Sequence, residues 1–361
     1  MGSRRRTRES GRARREEFDM LSRNDIQLDE WRGRALLFEN AISNVVLGQA
    51  EPLRLMTIAI FCRGHVLLEG DVGVGKTTLL RAVARGLGGP YERIEGTIDL
   101  MPSDMIYASY IADDGRPRME HGPVLRHGED LAVFFFNEIN RARPQVHSLL
   151  LRLMAERTVT AFRQEFAFPH LQVFADRNKV ERDETFELPA AARDRFLMEI
   201  TIAAPSDAQS RRSLAFDPRF HDVDRLLLEV DEGVLDHRQL NAVAGAIQTG
   251  ISTSHAVETY VADIWNAIRM PHEAGIVLSS AEASRLIEGG ASPRGISALV
   301  RAARVRAWLE GRSCVVPEDI RAVFAAVMSH RIFLAPIYEI RREALIAELF
   351  AAVFATIPTP A

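Results

Sequence analysis

Lysine is nearly missing from this chain. Of 45 lysines and arginines among 361 residues, only Lys76 and Lys179 are lysines. Cysteine is as scarce: Cys62 and Cys314 stand far apart, without metal-ligand spacing, so the chain reads as reduced and cytoplasmic. No apolar run is long enough to cross a bilayer, and even Leu345 to Ile357 is broken by Glu348. The formal net charge of −4 gives no general affinity for nucleic acid or an anionic membrane. The 10 histidines are scattered and form no ligand cluster. His65, beside an apolar run, reads as a packing or edge residue rather than a metal ligand. The exception to the acidic balance is the start, with Arg4, Arg5, Arg6, Arg8, Arg12, Arg14 and Arg15. No apolar core follows them, so this is not a secretory signal. A disordered tail over 1–28, or a true start at Met20, is favoured over a nucleic-acid-binding arm.

One of the two lysines occupies a telling place. Gly70-Asp71-Val72-Gly73-Val74-Gly75-Lys76-Thr77 is G-x-x-x-x-G-K-[ST], a phosphate-binding loop. Its glycines let the backbone turn tightly and aim N–H groups at phosphates. Lys76 is expected to reach the β- and γ-phosphates, the Thr77 hydroxyl to hold Mg²⁺, and Thr78 to line the same nucleotide site. A flexible point charge suits that place better than a planar guanidinium. His65 to Glu69 reads as a buried strand entering the loop. Thr78 to Leu87 reads as the helix leaving it, with its N-terminal dipole toward the same negative charge.

At 361 residues the chain should form two domains or three. Helices are expected over Asp29 to Asn44 and Pro52 to Phe61, and a short strand at Arg93 to Glu95. Residues 97–129 are polar and broken by proline and glycine. Within them Tyr107 to Ile111 and Arg116 to Glu120 flank Asp113-Asp114-Gly115, a hairpin signal. Leu131 to Phe136 is a continuous apolar run, hence a fully buried strand. It ends in Asn137-Glu138, where carboxylates facing a phosphate loop handle Mg²⁺ and the attacking water. Pro144 to Glu156 reads as a helix, and Thr158 to Phe162 with Glu165 to Phe168 as a second hairpin turning at Arg163-Gln164. Leu171 to Ala175 is another apolar strand, followed by Asp176-Arg177-Asn178. This alternation predicts an α/β fold with a parallel sheet sandwiched by helices. After Pro205 helical runs take over, among them Ser206 to Ser213, Ser280 to Glu288, Ile296 to Glu310 and Arg341 to Phe354. The division expected is 1–28, 29–205 and 206–361, the last an all-α domain.

Together these motifs resemble the MoxR branch of the AAA+ ATPases along nearly all of 35–361. The resemblance rests on Val46-Leu47-Gly48-Gln49, Gly64 to Gly70, Asp99 to Asp104, Glu138-Ile139-Asn140-Arg141-Ala142, Leu188-Pro189, Asp194-Arg195-Phe196 and Ala291-Ser292-Pro293-Arg294. It implies an AAA+ P-loop NTPase core followed by a helical lid. It places Gln49 near the adenine and makes Glu138 the residue that polarises the attacking water. Asn178 becomes the polar sensor, Arg195 the arginine finger reaching a neighbouring subunit's nucleotide, and Arg294 the second sensor. The 97–129 and 157–169 segments become the helix-2 insert and the pre-sensor-1 hairpin. ATP and Mg²⁺ are the implied cofactors. The implied assembly is a ring, a hexamer, working with a von Willebrand factor A domain protein on a client enzyme, for which a methanol dehydrogenase is one candidate.

The chain departs from the family at Asn137, where an aspartate is usual and would anchor the waters around Mg²⁺. An asparagine there is uncharged and brings a donor where an acceptor is wanted. Milder departures are Lys179, Ala190 and Arg143. The expectation is impaired rather than abolished hydrolysis. The rival is an ATP-binding switch or scaffold with little turnover. A DNA-directed motor and a magnesium chelatase ATPase subunit are further alternatives; the former lacks a basic face, and the MoxR motifs weigh against the latter.

Overall fold

The computed structural model describes residues 26–178 and 186–360. The arginine-rich start, Met20 and Lys179 lie outside them. Leu28–Val45 (α1) and Ala50–Phe61 (α2) precede the sheet. The first half then runs Val66–Gly70 (β1), Lys76–Leu87 (α3), Tyr91–Glu95 (β2), Tyr107–Ile111 (β3), Pro117–His121 (β4) and Val133–Asn137 (β5). Pro144–Glu156 (α4), Thr158–Ala161 (β6), Gln164–Ala167 (β7), Gln172–Asn178 (β8) and Met198–Thr201 (β9) follow.

Five strands form one parallel sheet in the order β2-β5-β8-β1-β9. Such a sheet is covered on both faces, which is why its strands read as unbroken apolar runs. Side chains alternate between the faces. Val66, Leu68, Val133, Phe135 and Phe174 pack on the side of α3, against Leu79, Leu80 and Val83. Leu67, Phe134, Phe136 and Val173 pack on the other side, with Val146, Leu150 and Leu153 of α4.

Both expected hairpins are present as separate two-stranded ribbons, β3–β4 and β6–β7. The second turns at Phe162-Arg163, one residue earlier than the sequence suggests. Both residues have positive φ, 50° and 64°, as a two-residue hairpin turn matched to strand twist requires. The ribbons touch through rings: Phe162 lies 6.0 Å from Tyr107 and 5.8 Å from His121. Ile111 and Met119 remain 77% and 56% exposed.

Beyond Pro205 helices dominate: Ala208–Phe216 (α5), Leu240–Gly250 (α6), His255–Arg269 (α7), Pro293–Leu309 (α8), Pro317–Met328 (α9) and Arg342–Thr356 (α10). Their starts are locally encoded. Ser254 and Ser292 accept N–H groups of Val257 and Gly295, and the Asp319 carboxylate accepts the Val316 N–H at 3.0 Å. The helix expected over Ser280 to Glu288 is a single turn, Ala283–Leu286. After it Ile287–Gly289 (β10) pairs antiparallel with Phe333–Leu334 (β11). Paired serines before it and Gly289-Gly290 after it leave too few helix formers to extend that turn.

One buried side chain joins the two halves. Arg331, 2% exposed, donates to the Leu197 carbonyl at 3.1 Å, to the carbonyls of Phe196 and Val327, and to Asp194 Oδ1 at 3.1 Å. Burial lowers its guanidinium to about 10, opposed by the Asp194 carboxylate.

Candidate nucleotide site

The site forms at the carboxyl ends of β1, β5 and β8, where a parallel sheet presents its loops. Gly70 closes β1; a Cβ there would lie 2.3 Å from the Ile202 carbonyl oxygen. Gly73 and Gly75 have open space but φ of 80° and 89°, so their requirement is conformational. Gly75 leads straight into α3. The unpaired N–H groups of that helix start therefore border the loop and suit an anion. Asp71, Val72 and Gly73 form the exposed crest, and Val74, Thr77 and Thr78 are half-buried.

Lys76 is buried. Its Nζ donates to the Gly70 carbonyl at 2.8 Å and to Asn178 Oδ1 at 2.5 Å, and lies 3.4 Å from Asp176 Oδ2. Asn178 Nδ2 in turn donates to Glu138 Oε1 at 3.1 Å. The other Glu138 oxygen accepts Arg141 Nη1 at 2.9 Å. Three elements far apart in sequence thus meet in one chain of contacts from lysine to amide to carboxylate.

Glu138 has φ +52°, a left-handed conformation that strains a non-glycine residue. Its neighbours hold it there. Its N–H donates to Asp176 Oδ1 at 2.5 Å. Gly96 donates its N–H to the Asn137 carbonyl at 2.7 Å. The Asn137 side chain donates from Nδ2 to Glu95 Oε1. Burial raises the Asp176 carboxyl above its ordinary range, and the Glu138 N–H and Lys76 oppose that shift.

Beside the loop opens a cleft of about 400 Å³, walled by Val46, Leu47, Pro205, Leu214 and Phe220, with Gly73, Gly75 and Thr78 at its edge. Gln49 lines it and fixes one wall by donating from Nε2 to the Ala203 carbonyl at 2.7 Å. An apolar cleft with few polar groups suits a flat heterocycle.

The two arginines lie elsewhere. Arg195 donates to the Ala191 carbonyl at 2.9 Å, and its Nε has no partner among the described residues. Arg294, at the start of α8, pairs with Asp194 Oδ2 at 3.1 Å. Ser292 and Arg331 hold the other Asp194 oxygen at 2.9 and 3.1 Å. Among the described residues, the hydrogen bonds of Arg195 and Arg294 go to Ala191 and Asp194 rather than to Lys76, Glu138 or Asn178.

Among the described residues no group of three or more His, Cys, Asp or Glu is placed to hold an ion unaided. The oxygen groups the site offers are the Thr77 hydroxyl, the Asn137 amide oxygen and the carboxylates of Glu138 and Asp176. These are hard donors, and they fit Mg²⁺, which is held by one or two carboxylates when phosphates complete its shell.

Residues 65–198 match the model of the ATPase family associated with various cellular activities, and residues 279–349 match the AAA lid domain. Over 343 residues the chain is 64% identical to Protein MoxR of Methylorubrum extorquens, across 95% of this chain and all of that one. The chain belongs to the MoxR family of AAA+ ATPases. It is also 63% identical to Protein MoxR of Paracoccus denitrificans, over 93% of this chain and 99% of that one. Chaperone MoxR1 of Mycobacterium tuberculosis is 32% identical over 81% of this chain and 74% of its own length. A crystal structure from Cytophaga hutchinsonii, of a protein proposed to be an ATPase, superposes with a TM-score of 0.75 at 26% identity. It covers 93% of this chain and all of that one. A nucleotide-binding AAA core followed by an AAA lid is therefore the architecture of this MoxR-family chain. Among its described residues no helix is long and apolar enough to cross a membrane.

The sequence alone assigns no role to Asp176, Asp194 or Arg331. Asp176 had a signal: it stands two residues before Asn178, hence on the same face of a strand. Asp194 had only its place beside Arg195. Arg331 had none, since its role depends on carbonyls more than 130 positions away, at Phe196 and Leu197.

Proposed function

We propose that this MoxR-family ATPase binds ATP with Mg²⁺ and hydrolyses it at the subunit interfaces of a ring, a hexamer, in the cytoplasm. The observation that carries the reading is the contact chain Gly70–Lys76–Asn178–Glu138. Lys76 donates to Asn178 and Asn178 to Glu138, and this supports reading them as a cation for phosphate, an amide to place a water and a carboxylate to take its proton.

In this reading the phosphates lie on the 70–78 loop and the base in the Gln49 cleft. Thr77 and Asn137 hold the metal side. Mg²⁺ bound there neutralises phosphate charge. Glu138 takes a proton from water as the water oxygen bonds to the γ-phosphorus; the bond from that phosphorus to the bridging oxygen breaks, leaving ADP and phosphate. Arg195, whose hydrogen bond goes to the Ala191 carbonyl rather than into its own phosphate site, serves the neighbour's nucleotide, and Arg294 reports occupancy from the lid. We take 29–205 as the core and 206–361 as the lid. The 97–129 and 157–169 hairpins carry the motion outward. Chaperone-like maturation of a client enzyme, or metal or cofactor insertion into it, with a von Willebrand factor A domain partner, is the task that best fits. The chaperone name of the Mycobacterium tuberculosis relative supports it. A methanol dehydrogenase is one client to test.

One observation favours a second reading, a nucleotide-gated switch with little turnover: position 137 offers an amide, and its nitrogen is turned toward Glu95. Mg²⁺-dependent phosphate release by the wild type, beside Lys76→Ala and Glu138→Gln, separates the two. Turnover lost in both variants supports the ATPase. Wild type no faster than Glu138→Gln, while still binding ATP, would establish the switch.

A further inference from the structure

The charge that position 137 lacks stands on the next strand. β5 and β8 pair in parallel with Phe136 opposite Ala175. One residue further, that register sets Asn137 beside Asp176. Register neighbours in a parallel pair project from the same face. Alternation identifies the face: Phe135 and Phe174, two residues back on each strand, pack toward α3 and the phosphate loop. Asp176 is 1% exposed, yet both of its oxygens are engaged by the site. One accepts the Glu138 N–H at 2.5 Å and the other lies 3.4 Å from Lys76 Nζ.

We infer that Asp176 supplies, from β8, the carboxylate charge on the metal side of the site that Asn137 cannot supply from β5, and that it positions Glu138. The inference rests on the reading of this site as one for ATP and Mg²⁺. Three features support it. The usual order, acid then catalytic glutamate along one strand, is replaced by amide then glutamate, with an acid alongside. The buried carboxylate lies 3.4 Å from Lys76 Nζ, so removing its charge takes away the ion pair that lysine makes among the described residues. Its second oxygen pins the backbone of a residue with positive φ, which ties the metal side to the placement of the water-activating carboxylate. Asp176 thus joins Asn178 in tying the phosphate lysine to Glu138.

The test is a cycle of variants in the full chain: Asp176→Asn, Asn137→Asp and the double variant. Binding of a fluorescent ATP analogue is titrated with MgCl₂, and thermal unfolding checks integrity. Asp176→Asn should raise the Mg²⁺ needed for half-maximal binding tenfold or more. Asn137→Asp alone should change it less than threefold, because the charge is already present. In the double variant Asn137→Asp should recover most of the loss, a coupling that a purely structural Asp176 would not show. An unchanged Mg²⁺ requirement in Asp176→Asn, or no recovery in the double variant, overturns the inference. So does a gain of tenfold or more from Asn137→Asp alone, which can be read even if Asp176→Asn fails to fold. Wild type that binds no analogue at all overturns the nucleotide reading, and this inference with it.

Discussion

Replacing Gly96 by alanine should disable turnover without touching any group that contacts nucleotide. Gly96 follows β2 and donates its N–H to the Asn137 carbonyl at 2.7 Å. A Cβ at this position would lie 2.2 Å from the Glu138 carbonyl oxygen, 2.9 Å from its carbonyl carbon and 3.1 Å from the Asn137 carbonyl oxygen. All three are backbone atoms, so no side chain can swing aside. Restoring ordinary contact, about 3.5 Å, requires the Glu138 peptide to move by roughly 1 Å. Overpacking of this kind costs about 1–3 kcal/mol of stability. A 1 Å displacement of a catalytic group costs on the order of 100-fold in rate. The 70–78 loop is on another strand, so KM for ATP should change little while kcat falls. Steady-state phosphate release, with urea unfolding as the control, reads both quantities. A folded Gly96→Ala protein with kcat within twofold of wild type would refute the claim that this turn sets the Glu138 carboxylate.

Four other substitutions probe different parts of the structure. Asp194→Ala leaves the buried Arg331 guanidinium unpaired and frees Arg294, and should cost about 3–5 kcal/mol in urea unfolding; a loss below about 0.5 kcal/mol, within surface-substitution scatter, would show the core–lid latch to be idle. His65 spends its ring on backbone, with Nδ1 accepting the Val173 N–H at 2.9 Å and Nε2 3.1 Å from the Met154 carbonyl, and burial pushes it down to about 3. The unfolded chain then binds a proton that the folded chain refuses, so stability present above pH 6.5 is lost as pH falls toward 3. By pH 5 this amounts to about 2 kcal/mol, and His65→Gln should remove that share of the slope in urea midpoints between pH 7.5 and 5. At the hairpins, Ile111→Ser should change stability by less than about 0.5 kcal/mol, whereas Phe162→Ala, which loses two ring contacts, should cost about 1 kcal/mol; equal effects would mean that the ribbons do not support each other.

Legibility in the sequence followed locality. The phosphate loop carries its own instructions, glycines where φ must be positive and a lysine in a chain that writes all but one of its other positive side chains as arginine. The buried strands were legible because a sheet covered on both faces needs unbroken apolar runs. Strand ends were not. Asn137 and Asp176-Arg177-Asn178 look like turn residues, since Asn and Asp favour turns, yet pairing with β2 and β1 continues to Asn137 and Asn178. Ladder hydrogen bonds overrode local preference there, and the candidate site lies at those strand ends. For the same reason the apolar pattern ends at Ala175 and gives no sign that Asp176 belongs to the candidate site. Apolar spacing over Ser280 to Glu288 predicts a full helix where the structure has the single turn Ala283–Leu286, because the pairing of Ile287–Gly289 with Phe333–Leu334 is a tertiary event. Arg331 is the extreme case: a buried arginine looks unfavourable until the carbonyls of another domain are in place.

The central claim, that each active site is completed by a neighbour, is tested most directly by mixing two dead variants. Lys76→Ala cannot hold phosphate but still offers Arg195; Arg195→Ala holds nucleotide but offers no finger. In an equal mixture about one interface in four joins an intact loop to an intact arginine, because head-to-tail contacts are heterologous. Phosphate release that rises from background on mixing, toward about a quarter of the wild-type rate, is the result this account predicts. A mixture as inactive as its components, from proteins shown to exchange subunits, or full activity of Arg195→Ala alone, would contradict it.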